Sequence, residues 1–124
     1  MVGKPRRRVH QSRRGKAEGR RYLVERLWPR GVRKDDLPLE AWLKDVAPSA
    51  ELRRWYAHEV AKWKEFQRRY RAELDANEMA WQPLLQAARE GAITLLYSAR
   101  DTEHNSALVL QAYLEKRLAQ KRKA

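Results

Sequence analysis

Ile93-Thr94-Leu95-Leu96-Tyr97-Ser98-Ala99-Arg100-Asp101-Thr102-Glu103-His104-Asn105 is the stretch whose reading decides the fold. Its first five residues are apolar, β-branched or aromatic, and Gly91 punctuates the chain just ahead of them, so they read as a buried strand. A polar turn from Ser98 to Thr102 follows, and Glu103-His104-Asn105 opens an amphipathic segment from Ser106 to Leu118. Strand, turn and helix start in this order leave backbone N–H groups unpaired, where an anion can sit.

Upstream, Arg21-Tyr22-Leu23-Val24-Glu25-Arg26-Leu27 is dense in β-formers and predicts a second strand. Trp28-Pro29-Arg30-Gly31 ends it, because Pro29 cannot donate to a ladder and Gly31 permits a turn. A short edge strand is expected near residues 7–10, resting on the single apolar Val9. Between the strands, Pro38 suits a first helical turn, and Leu39, Trp42, Leu43 and Val46 fall at helical spacing until Pro48. Ser49 is placed to cap a helix carrying Leu52 and Trp55. Trp63, Phe66, Tyr70 and Leu74 predict the clearest amphipathic helix. A further helix carries Leu84, Leu85 and Ala88, with Asn77 or Gln82 as its cap, Pro83 early in it and Gly91 as its C′ residue. Strands separated by helices pair most readily in parallel through a right-handed crossover. The expected class is α/β: a small, mainly parallel sheet flanked by helices, and helix-rich.

The 124 residues, 43% hydrophobic and with five Trp, suit one globular domain over 20–118, preceded by a basic arm (1–19) and followed by a basic tail (119–124). The chain has no Cys, which excludes disulfide and thiolate chemistry and points to a reducing cytoplasm. No secretory signal and no apolar run of about 18 residues is seen, so no membrane partner is expected.

The net charge of +12 belongs to the two ends. Residues 1–21 hold nine Lys/Arg against Glu18, and residues 116–124 hold five against no acid, which leaves the body at −1. Arg6, Arg7, Arg8, Arg13, Arg14, Lys121, Arg122 and Lys123 could bind nucleic-acid phosphates with strong salt dependence, or could simply solubilise the ends.

If the two strands are parallel neighbours, the loops after both converge on one crevice outside the strand ends, where open α/β sheets bind ligands. Arg26 and Arg30 would clamp a phosphate or carboxylate there; alternatively they pair with Glu25, Asp35, Asp36 or Asp101. Trp28 belongs to the same crevice, and Arg100, Asp101, Thr102 and Asn105 complete the candidate ligand set. Asp101 or Thr102 is also suited to N-capping the last helix, and Asn105 to bonding local backbone. His104 is the candidate proton-transfer residue and Ser98 the candidate nucleophile, although no glycine elbow surrounds Ser98. Asp101 and His104 with His58-Glu59 do not form a recognisable ligand motif, so no metal is expected and no cofactor is implied. The remaining aromatic residues read as core.

Several blocks taken together resemble one family. Arg26-Leu27-Trp28-Pro29-Arg30-Gly31, Trp42, Pro48-Ser49-Ala50-Glu51-Leu52-Arg53-Arg54-Trp55, the Trp63/Phe66/Tyr70 row, and Leu95-Leu96-Tyr97-Ser98-Ala99-Arg100-Asp101 with His104-Asn105 look like the YeaO-like family of small bacterial proteins, a domain of unknown function. The likeness spans roughly residues 20–118. It implies a compact cytoplasmic α/β domain and brings no substrate, cofactor or catalytic residue. The strongly basic ends depart from the family pattern. The sequence therefore leads to a domain that binds a small anionic ligand at the strand ends, with enzymatic activity left open, and to a nucleic-acid-associated protein as the alternative.

Overall fold

The computed structural model describes residues 8–13 and 19–120. The apolar run read first forms a strand, Ile93–Leu96, with all four residues buried. Numbered in chain order, Val9–Ser12 (β1), Arg20–Leu23 (β2), Ala41–Trp42 (β3) and this strand (β4) make one sheet in the order β1-β4-β2-β3. Every pairing is parallel. Val9 and Arg20 lie opposite Ile93, and Ser12 and Leu23 lie opposite Leu96, so all carboxyl ends share one edge of the sheet. The edge strand starts two residues later than expected, and residue 7 lies outside the described residues. β2 is shorter than the expected 21–27, although the Val24 N–H still donates to the Leu96 carbonyl at 3.2 Å.

The period-two alternation of the strands divides the interior. Tyr22, Val24, Ile93 and Leu95 face a large core shared with the helices Ala50–Tyr56 (α1), Trp63–Asp75 (α2), Glu78–Glu90 (α3) and Ser106–Ala119 (α4). Leu23 and Leu96 face a smaller cluster with Leu37, Trp28, Val32, Leu39 and Trp42. The four helices thus join the core on one face, and residues of the 24–46 segment cover the other.

That segment corrects one expectation. Residues 39–46 do not form a helix; they contain β3 and a 3₁₀ turn at Lys44–Val46. The Glu40 N–H donates to the Arg21 carbonyl (2.7 Å) and the Leu43 N–H to that of Leu23 (2.8 Å), so the backbone bonds a helix would keep local go to β2. The Trp42 indole N–H adds a bond to the Glu25 carbonyl at 2.7 Å.

The other helices follow their patterning. In α2, Phe66, Tyr70 and Leu74 are buried, and the Tyr70 hydroxyl donates to the Val46 carbonyl at 2.5 Å. Ser49 caps α1, its Oγ accepting from the Leu52 N–H at 3.1 Å. Asn77 precedes α3 but makes no side-chain cap; its amide donates to the Asp45 carbonyl instead, at 3.2 Å. Gly91 ends α3 with extended backbone (φ 168°), not a left-handed C′ turn. α4 guards the edge strand: Gln111 donates to the Val9 carbonyl (2.8 Å), and Glu115 accepts from the Val9 N–H (3.1 Å).

Gly19 leads into β2 at φ +67°, and a Cβ built there would fall 1.9 Å from the Ala92 carbonyl oxygen. Gly19→Ala is expected to destabilise the protein by more than about 1 kcal/mol, because both the backbone conformation and the space forbid it. Urea unfolding of the variant checks this; an unchanged midpoint would refute the close approach.

Candidate functional site

The carboxyl ends of β2 and β4 are joined by Glu25. Its carboxylate accepts from both the Ser98 N–H (2.7 Å) and the Ser98 hydroxyl (3.0 Å). Above this joint lies a cavity of ≈ 160 Å³, room for about five water-sized groups. Ser98, His104 and Asn105 line it, together with Glu25, Arg53, Tyr56, His58 and Tyr97. Ser106, the first residue of α4, also borders it, so the positive end of that helix opens on the cavity.

The loop between β4 and α4 is fixed from within. Asp101 Oδ1 accepts from the N–H groups of Glu103 (2.9 Å) and His104 (3.0 Å). The backbone N–H of Glu103 is the main reason the Asp101 carboxyl sits below its ordinary range, with the His104 ring contributing. His104 Nδ1 lies 3.0 Å from Asp101 Oδ2, and the imidazole meets the edge of Trp63 at a centroid distance of 5.2 Å. Asn105, buried to 4% exposure, caps α4 through Oδ1, which accepts from the Leu108 N–H at 3.0 Å; its amide donates back to the Asp101 carbonyl. The cap is therefore Asn105, and neither Asp101 nor Thr102. Asp101 closes the preceding turn because it lies too early in the chain to reach the N–H groups of the helix itself.

The opposite wall comes from the end of α1. Ala57 (φ 46°) and His58 (φ 59°) are consecutive left-handed residues, which costs non-glycine residues on the order of 1–3 kcal/mol each. This turn places His58 on the cavity rim against Tyr56, whose ring packs on Phe66 at 4.5 Å. Burial raises the Tyr56 and Tyr97 hydroxyls above their ordinary range, so both remain protonated donors. At the same sheet edge, Arg13 Nε donates to the Ala99 carbonyl at 3.0 Å.

Six of the predicted site residues do not line this cavity: Asp101, which acts from behind His104, and five others. Arg26 donates to the Ala47 (3.2 Å) and Pro48 (3.4 Å) carbonyls and borders a separate depression beside Tyr70 and Glu73. Arg30 is exposed next to the turn at Gly31, so the two guanidinium groups do not form a clamp over Ser98 and His104. Trp28 packs edge-on against Trp42 (5.5 Å) and donates to the Val32 carbonyl (2.6 Å) on the other sheet face. Arg100 and Thr102 are exposed on the loop's outer side and do not border the cavity. The Ser98 hydroxyl proton is directed to Glu25 while His104 faces Asp101, an arrangement without a serine–histidine hydrogen bond. Glu25, Arg53, Tyr56 and His58 were missed as site residues. Arg53 lies within the Pro48–Trp55 block, but nothing in that block marks one arginine above another. Among the described residues, no group of three or more His, Cys, Asp or Glu is arranged to hold a metal.

Two outcomes follow for this loop. Asn105→Ala should cost about 1–2 kcal/mol in thermal or denaturant unfolding, the upper range for a lost N-cap, because the Asp101 carbonyl also loses its amide donor. Because folding lowers the Asp101 pKa, its contribution is present above the ordinary value of 3.8 and is lost as pH falls through the lower folded value. Asp101→Asn, which can keep the turn but not the charge, should therefore lose less stability than the parent below pH 3.8. Parallel acid-unfolding curves would refute this.

Comparison with known proteins places these features in a family. A family model described as "Inactive DUF488-N3 subclade" matches residues 5–124. The uncharacterised protein YeaO of Escherichia coli K12 is 45% identical over 98 residues, covering 79% of this chain and 85% of YeaO. Uncharacterised proteins of Mycobacterium tuberculosis H37Rv (Rv3073c) and Mycobacterium bovis (Mb3100c) are each 40% identical over 100 residues, covering 81% of this chain and 84% of theirs. No solved structure matches the chain. The family model spans nearly the whole chain, and the relatives align over about four fifths of it: this protein belongs to the DUF488-N3i family and is YeaO-like.

Proposed function

We propose that the protein is a cytoplasmic binding domain for a small anionic ligand, phosphate- or carboxylate-bearing, held in the cavity at the carboxyl edge of the sheet. The observation that carries this reading is the convergence of Arg53, His58 and His104 with the start of α4 around one cavity. Arg53 takes the charge-neutralising role, since Arg26 and Arg30 lie elsewhere. Asn105 and the protonated tyrosines supply directional hydrogen bonds, and Phe66 supplies an apolar wall. Asp101 fixes the His104 ring from behind, so that its other nitrogen is free to meet a ligand oxygen. The Ser98 proton held by Glu25 and the family's description as inactive both favour binding over nucleophilic catalysis.

Arg53→Ala should weaken phosphate or small phosphorylated and carboxylated ligands by about 1.5–3 kcal/mol, the range for hydrogen bonds to a charged group, while Arg30→Ala leaves them unchanged. Thermal-shift titration of the parent and both variants measures this. Equal affinity in Arg53→Ala would overturn the assignment.

The charge distribution supports a second reading, nucleic-acid association through the basic ends. Arg8 and Arg13 are tied to the chain's own carbonyls, at Ala88 (3.2 Å) and Ala99 (3.0 Å), although guanidinium donors remain on each. Arg6, Arg7, Arg14, Lys121, Arg122 and Lys123 lie outside the described residues. This reading expects retention on an oligonucleotide that falls steeply with salt; salt-independent or absent retention counts against it.

A further inference from the structure

The carboxyl-edge cavity is not lined by cations and neutral groups alone. Glu25 brings a carboxylate to it from the end of β2, and Arg53 brings a guanidinium from α1. Neither charge has an opposite partner: among the described residues, Glu25 and Arg53 enter no ion pair, with each other or with any third group. Two opposite charges thus border one small space and stay apart.

The Glu25 carboxylate is only half used. Its Oε2 takes both bonds from Ser98, at 2.7 and 3.0 Å, while Oε1 accepts none among the described residues. No buried side-chain oxygen among those residues lacks a partner, so Oε1 is open to solvent. The tie to Ser98 explains why Glu25 turns toward β4, but it does not require a charge, since a neutral amide oxygen accepts the same two bonds. Arg53 is exposed and donates no side-chain hydrogen bond among the described residues, which leaves its planar fork of donors available.

A bare phosphate or carboxylate entering this space gains Arg53 but meets the repulsion of Glu25. An ammonium group on the same ligand turns that repulsion into attraction and leaves neither protein charge unpaired. The remaining lining agrees. Tyr56, Phe66 and Tyr97 border the cavity, and aromatic faces attract cations and not anions.

We infer that the cavity selects a small zwitterion, an amino acid or a phosphorylated amine, whose ammonium group donates to Glu25 Oε1 and whose anionic group meets Arg53. This rests on the anion-binding reading above and narrows it. Glu25 becomes the residue that discriminates against anions without a cationic group.

Isothermal titration calorimetry of the full chain with matched pairs tests it: glycine against acetate, β-alanine against propanoate, and phosphoethanolamine against ethyl phosphate. The members of each pair differ by one ammonium group. In at least one pair the amine-bearing member should bind about tenfold tighter or more, the low end for a hydrogen bond between charged groups. Which pair shows the preference separates a carboxylate ligand from a phosphate ligand. Glu25→Gln, which can keep both Ser98 bonds, should erase the preference, and Arg53→Ala should weaken both members of the pair. Equal or lower affinity of the amine-bearing member in every pair that binds would overturn the zwitterion and leave anion binding standing. That comparison needs only the parent protein, so it decides even if Glu25→Gln disturbs the fold. A preference that survives intact in a folded Glu25→Gln variant would overturn the role of Glu25. Absence of binding by every compound would overturn the anion-binding reading as well.

Discussion

The carboxylate of Glu25 is the joint on which the functional edge depends. Glu25 and Ser98 are 73 residues apart, and they meet only because β2 and β4 run side by side in the same direction. Two donors from one residue, one of them a backbone N–H, satisfy a partly buried negative charge that would otherwise be costly. Holding the second residue beyond each strand sets where the β4–α4 loop departs, and hence where His104 and Asn105 stand. Remove that pairing and the cavity has no floor.

Much of the architecture was legible because it rests on long apolar patterns. The run from Ile93 to Tyr97, the Phe66/Tyr70/Leu74 stripe and the Ser49 cap all appear where periodicity and capping chemistry put them. The segment from Leu39 to Val46 was misread for a physical reason. Its apolar spacing fits a helix face, but Leu39 and Trp42 pack over one face of the sheet while Val46 belongs to the core on the other. A spacing of three and four cannot distinguish one buried stripe from residues divided between two clusters. The neighbouring strand decided it by offering the Arg21 and Leu23 carbonyls.

The site was legible in part. A strand followed by a polar turn and a helix did bring Ser98, His104 and Asn105 to one cavity, and the three-residue spacing of Asp101 and His104 did let their side chains meet. The error over Arg26 lies in where the strand stops: β2 ends at Leu23 and the chain bends at Arg26, so that Glu25 reaches Ser98 while the Arg26 guanidinium goes to the Ala47 and Pro48 carbonyls. The sequence does not say which of the two is turned inward. Arg53 and His58 were hidden for another reason. Their position depends on how α1 ends, and two successive left-handed residues without glycine leave no compositional signal.

The strand order also bears on how the chain is made. β1 and β2 are made before β4, the strand that lies between them; β2 can meet β3 in the interval, but β1 pairs with β4 alone and must wait through the synthesis of three helices. Exposed strand edges in that interval invite association with other nascent chains, and dense like charge discourages it. Nine Lys/Arg in the first 21 residues thus give the emerging amino terminus a built-in electrostatic guard against self-pairing until its central strand arrives.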